Sequence, residues 1–102
     1  MKDFPSVFSL AGKKAVITGG ATGLGFGTAQ CMLRAGAEVI IIGRREQLLQ
    51  QSCEELGEGS SWICADITQT DNTDNLVQQI LDRMGHIDIL VNNAGNQYKK
   101  PI

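Results

Sequence analysis

Apolar residues fall along this chain in short runs that alternate with helical stripes. Lys13-Lys14-Ala15-Val16-Ile17 reads as a buried strand, β-branched and apolar, placed at about Lys14–Thr18. Phe26, Ala29 and Leu33 then recur at helical spacing within a helix of about Gly23–Ala35, with Gly36 placed to end it. Val39-Ile40-Ile41-Ile42 shows no polar alternation, which suits a parallel strand covered on both faces. Leu48, Leu49, Cys53 and Leu56 mark a second helix closed by Gly57, and Trp62-Ile63-Cys64-Ala65 a third strand. Leu76, Val77, Ile80, Leu81 and Met84 form the cleanest helical stripe, stopped by Gly85. Ile87 to Val91, interrupted only by Asp88, is a fourth strand that Asn92-Asn93-Ala94-Gly95 breaks. Ahead of all this, Met1–Gly12 reads as a lead-in arm, with Phe4, Val7, Phe8 and Leu10 able to lie against the domain.

The order is therefore βαβαβαβ with short connections, which demands parallel pairing and right-handed crossovers. A doubly wound α/β sheet of strand order 3-2-1-4 is expected, with helices on both faces. Its ligand should bridge the carboxyl ends of the strands, at the topological switch point between strands one and four.

Composition narrows the picture. A length of 102 residues, 42% hydrophobic, fits one domain. A chain of this size buries roughly 60–65% of its unfolded surface, enough for a core with little margin. A net charge of −2 lacks the basic stripe that a nucleic-acid or anionic-membrane partner requires. Met1 to Leu10 holds Asp3 and Pro5 and no long apolar run, so it reads as neither signal peptide nor membrane span. Cys31, Cys53 and Cys64 are odd in number and lack metal-ligand spacing. Cys31 lies in the first helix and Cys64 in an apolar strand, so buried free thiols in a reducing cytoplasm are expected.

Chemistry concentrates at the first strand-to-helix turn, Thr18-Gly19-Gly20-Ala21-Thr22-Gly23-Leu24-Gly25. Gly19 can supply a tight turn. Gly23 has no Cβ to block a pyrophosphate, and Gly25 lets the helix pack against the strand. The unpaired N–H groups and positive dipole end of the helix then face an anion. A glycine-rich loop that binds nothing is the alternative, disfavoured by the flanking strand and helix. Phe26 stands where a P-loop needs Lys, so ATP hydrolysis is excluded.

Roughly 20 residues past such glycines an Asp or Glu is expected to accept from the ribose 2′-OH of NAD. This chain has Gly43-Arg44-Arg45 there; Glu38 is at the wrong end of the strand and Glu46 belongs to the next helix. A guanidinium at that corner suits a 2′-phosphate, by bidentate pairing and stacking on adenine. NADP(H) is thus favoured and NAD(H) stays possible, against the alternative of a solvated arginine pair. Asp66, closing strand three at the same edge, can accept from the adenine amino group, or make an Asx-turn or helix cap. Asn at the end of strand four can tie neighbouring strands, and Ala94-Gly95 leaves room for a ribose. His86, beside Gly85 on the far side of the sheet, reads as a loop histidine rather than a catalytic one.

Taken together, Thr18-Gly19-x-x-x-Gly23-x-Gly25, then Asp66, then Asn92-Asn93-Ala94-Gly95 resemble the N-terminal half of a short-chain dehydrogenase/reductase, from about Phe8 to Gly95. The resemblance implies a Rossmann-type fold in which Thr18 and Asn92 brace the sheet and Thr22, Gly23 and Leu24 line the pyrophosphate. It further implies that Asp66 and Ile67 hold adenine, and that Asn93, Ala94 and Gly95 touch the ribose. The phrasing of Phe8-Ser9-Leu10-x-Gly12-Lys13 and of Gly85-His86-Ile87-Asp88-Ile89-Leu90-Val91 is similar to the gluconate 5-dehydrogenase-like, sugar-acid branch.

The family's chemistry also needs a Ser and a Tyr-x-x-x-Lys pair. Tyr98 has Ile102 four positions on, and Lys99 and Lys100 are out of register, so no catalytic residue is assigned. These 102 residues are therefore expected to be the N-terminal part of a single NAD(P)-binding domain, inactive without the catalytic half. The complete enzyme would interconvert a secondary alcohol and a ketone and form a homo-oligomer. A non-catalytic NADP(H)-binding module acting with a partner chain is the rival from another class. An S-adenosylmethionine-binding methyltransferase-like fold is weakened by Asn92–Gly95 and the basic corner at Arg44.

Overall fold

The computed structural model describes residues 9–19, 21, 23–66 and 73–93. They form β1 (Lys14–Thr18), α1 (Gly23–Arg34), β2 (Glu38–Gly43), α2 (Glu46–Leu56), β3 (Ser60–Cys64), α3 (Thr73–Met84) and β4 (Ile89–Asn92). All pairings are parallel, in the order β3-β2-β1-β4. Ile17 lies opposite Ile41 on one side and Val91 on the other, and Ile41 opposite Trp62. The α/β architecture and strand order expected from the sequence are those observed.

Two cores follow from side chains pointing alternately to opposite faces of the sheet. Ala15, Ile17, Val39 and Ile41 gather on one face with Ala29 of α1 and Leu49 of α2. Val16, Ile40, Ile42 and Ile63 gather on the other with Ile80 and Met84 of α3. The unbroken run Val39–Ile42 is thus buried on both sides because helices cover both sides of β2. Leu10 packs on the first core and its N–H donates to the Ala35 carbonyl at 2.7 Å, which ties the end of the lead-in arm to the end of α1. Phe4, Val7 and Phe8 lie outside the described residues.

Element boundaries move for local reasons. β4 begins at Ile89 because the Asp88 carboxylate accepts the Lys14 backbone N–H at 2.8 Å, while the Asp88 N–H donates to the Lys14 carbonyl. Ile87 therefore stays outside the strand and partly exposed. Leu90 lies opposite Val16 but is not part of the second core, and is 65% exposed.

The cysteines correct one expectation. All three are free, as anticipated, but Cys31 and Cys64 are exposed and only Cys53 is partly buried. On α1 the buried positions are Gly25 and Ala29, and Cys31 sits about 200° further round the helix axis. In β3, Ile63 turns into the second core, so Cys64 turns the opposite way at the end of an edge strand. Burial pushes the Cys53 thiol above its usual range, partly offset by a hydrogen bond with Ser60.

Candidate functional site

Parallel pairing places the carboxyl ends of all four strands at one edge of the sheet, where Thr18 faces Ile42 and Asn92, and Gly43 faces Cys64. Gly19, Arg44, Asp66 and Asn93 are thereby brought together from distant parts of the sequence. His86 falls at the opposite edge, as the loop reading required. There its Nε2 is 3.0 Å from Asp88 Oδ2, and Lys14 Nζ donates to Glu38 at 2.6 Å.

The chain leaves β1 through Gly19 in a left-handed conformation, φ 71°, with its N–H donating to the Ile42 carbonyl at 2.8 Å. It re-enters α1 at Gly23, φ 52°, where an added Cβ would meet no atom within 4 Å. Gly25 is different. A Cβ there would overlap the Gly19 carbonyl and come within 2.8 Å of Asn93 Nδ2. Only glycine lets the first turn of α1 seat directly on the ends of β1 and β4. Leu24 between them is 73% exposed.

The first turn of α1 carries no acidic residue, whereas α2 has Glu46 and α3 has Asp74. Acidic side chains near a helix start offset its positive end, so α1 is the one of the three with that end uncompensated by its own first turn. The sheet beneath is braced as the motif implied: Thr18 is nearly buried, and its Oγ1 donates to Asn92 Oδ1 at 3.0 Å. The Asn93 N–H donates to the Thr18 carbonyl at 3.2 Å.

At the neighbouring corner, Arg44 Nη1 lies 3.9 Å from Asp66 Oδ2, with the two side chains 72% and 27% exposed. Arg45 takes the extended N-cap position of α2, its side chain exposed and making no capping hydrogen bond. Glu46 opens α2 as anticipated, and Glu38 is at the far end of β2. α3 spans Thr73–Met84, and the residues joining Asp66 to it lie outside the described residues. Thr22, Ile67, Ala94 and Gly95 lie outside the described residues.

Three features escaped the sequence. Ser52 of α2, 5% exposed, donates through Oγ to the Ala21 carbonyl at 3.2 Å and buttresses the glycine turn. It also lines a cavity of about 280 Å³ between the start of α1 and α2, with Ala21, Gly23, Phe26 and Leu48. Third, Cys64 Sγ donates to the Arg44 carbonyl at 3.5 Å. A serine inside an apolar helical stripe was the only available signal for the first two; nothing marked the third. Among the described residues no group of His, Cys, Asp and Glu could hold a metal ion, and no helix is long and apolar enough to cross a membrane.

The family model described as short chain dehydrogenase matches residues 13–102. Gluconate 5-dehydrogenase of Gluconobacter oxydans is 40% identical over 101 residues, covering 96% of this chain and 40% of its own length. Among solved structures, the 3-ketoacyl-(acyl-carrier-protein) reductase from Brucella melitensis complexed with NADH aligns with a TM-score of 0.75 at 35% identity. That alignment covers 80% of this chain and 34% of the reductase. The Pseudomonas aeruginosa RhlG/NADP active-site complex aligns with a TM-score of 0.79 at 37% identity, covering 84% of this chain and 36% of that one. The chain spans about two fifths of the length of the curated relatives it matches.

Proposed function

The chain belongs to the short chain dehydrogenase family, and from that premise we propose that it is the cofactor-binding part of an NADP(H)-preferring oxidoreductase. The complete enzyme interconverts a secondary alcohol and a ketone, with a sugar acid as the substrate class that the gluconate 5-dehydrogenase relative suggests. It works as a homo-oligomer in the cytoplasm, where three free thiols stay reduced. The 102 residues contain no Tyr-x-x-x-Lys pair and on their own transfer no hydride.

The observation that carries this reading is the seating of α1. Gly25 brings its uncompensated positive end onto the carboxyl edge of the sheet, beside the end of β2, where Arg44 stands in the position expected of an acid. That cradle fits a dinucleotide. Gly19, Thr22, Gly23, Leu24 and Gly25 hold the pyrophosphate; Asp66 and Ile67 hold adenine; Asn93, Ala94 and Gly95 meet the ribose. Arg44 and Arg45 take the 2′-phosphate, Arg44 as the nearer partner and Arg45 from the start of α2. The bound nicotinamide supplies hydride transfer; the residues named here bind and orient it.

Titration of NADP(H) and NAD(H) into the wild type and Arg44→Asp tests the reading. NADP(H) is expected to bind the wild type more tightly, with the preference reversed in the variant. One charge-assisted pair is worth about 1.5–3 kcal/mol, or on the order of tenfold or more. Equal wild-type affinities that the variant leaves unchanged would overturn it.

A further inference from the structure

The ion pair at the carboxyl edge sets two residues of the proposed cofactor site against each other. Arg44 would take the 2′-phosphate and Asp66 the adenine, yet the structure holds the guanidinium and the carboxylate 3.9 Å apart. We propose that Asp66 is a specificity-determining residue that opposes Arg44, competing with the 2′-phosphate for the guanidinium and so tempering the preference for NADP(H). This rests on the cofactor reading above.

The geometry favours a competitor over a support. At 3.9 Å the contact from Arg44 Nη1 to Asp66 Oδ2 is longer than a hydrogen bond. Such a pair keeps an anion near Arg44 without fixing the orientation of the planar fork, which remains 72% exposed. A 2′-phosphate offers several acceptor oxygens and close to two negative charges, so it replaces the aspartate as the better partner. The displaced carboxylate then faces a second anion across a few ångströms, and being partly buried it is screened less than a surface group.

The backbones that carry the two groups are tied together. Gly43 pairs with Cys64 at the ends of β2 and β3, and the Ala65 N–H donates to the Gly43 carbonyl at 2.7 Å. Cys64 Sγ adds its bond to the Arg44 carbonyl. These three contacts couple the backbone corner bearing Arg44 to the corner bearing Asp66. Strand register thus keeps the two residues neighbours at the sheet edge, whatever rotamer the arginine takes. NAD(H), which has a neutral 2′-OH, leaves the pair undisturbed and suffers no such repulsion.

The test is the ratio of the NAD+ and NADP+ dissociation constants, measured in the full chain for wild type, Arg44→Ala, Asp66→Asn and the double variant. Asp66→Asn should weaken both cofactors by a common factor, through adenine, while raising the preference for NADP+ about three- to tenfold at low salt. That gain should shrink as ionic strength rises, a signature that a merely structural loss would not carry. Arg44→Ala should lower the ratio, and the double variant should recover less of the gain than Asp66→Asn shows alone. Asp66→Ser provides the same measurement should the asparagine variant fold poorly. If Arg44→Ala lowers the ratio while Asp66→Asn leaves it unchanged or lowers it, this inference fails and the cofactor reading stands. If no variant moves the ratio, both fail.

Discussion

The two edges of this sheet are built from the same four strands and end in opposite electrostatic conditions. At the amino edge the charges satisfy one another: Lys14 pairs with Glu38, and the Asp88 carboxylate takes both the Lys14 backbone N–H and His86. At the carboxyl edge α1 presents its positive end with no acid in its first turn, and among the described residues Arg44 has a distant, partial counter-ion in Asp66. Parallel topology makes this asymmetry. Every β-to-α connection leaves from the carboxyl edge, so helix starts collect there, whereas the amino edge receives helix ends. A self-satisfied edge stabilises the fold; a helix start without an acid in its first turn is suited to an anion.

The strongest way to break the contrast is to pry α1 off the sheet. Gly25→Val places side-chain atoms where the Gly19 carbonyl already lies, and backbone cannot yield as a side-chain tip can. The expected outcome is a loss of about 3 kcal/mol or more of stability together with nucleotide binding, read by thermal melting and titration. Gly23→Ala sharpens the same point. Its Cβ meets open space, so only the left-handed φ of 52° is penalised, by about 1 kcal/mol. This variant should remain folded and yet bind NADP(H) at least about tenfold more weakly, because the methyl group enters the anion's space. A folded Gly23→Ala protein with unchanged affinity would show that the ligand does not approach there.

The smallest effect is expected at the other edge. The Lys14 N–H, and secondarily His86, hold the Asp88 carboxyl below the usual carboxylate range. A carboxylate lowered on folding contributes stability above its unfolded pKa and loses it as pH falls through the folded one. Asp88→Asn should therefore lower the melting temperature slightly near neutrality, with the difference from wild type closing in acid. The ratio of NADP(H) to NAD(H) affinity should not change. A change in that ratio would mean that the two edges are coupled and would undo the contrast.

How far the sequence could carry the argument depends on the range of each interaction. The runs Ala15–Ile17 and Val39–Ile42, the stripe from Leu76 to Met84 and the glycines after each helix are local signals, and the observed elements lie on them to within a few residues. Short βα connections then leave few topologies, so the order β3-β2-β1-β4 was also legible. Arg44 could be singled out by its distance from the glycines, and Asp66 by its place at the end of the third strand.

What spacing could not show was that Asp66 and Arg44 are partners, 22 positions apart in sequence and 3.9 Å apart in space. Nor could it place Ser52 under Ala21, or Gly25 against both Gly19 and Asn93. The thiols make the same point in reverse: an apolar neighbourhood in sequence predicted burial, but the phase of α1 and the edge position of β3 exposed Cys31 and Cys64. By itself the sequence determined which segments are strands and helices, because backbone preference and hydrophobic period act over a few residues. Tertiary structure alone decided which side chains oppose, brace or escape one another, because that depends on strand register and on the rotation of each helix against the sheet.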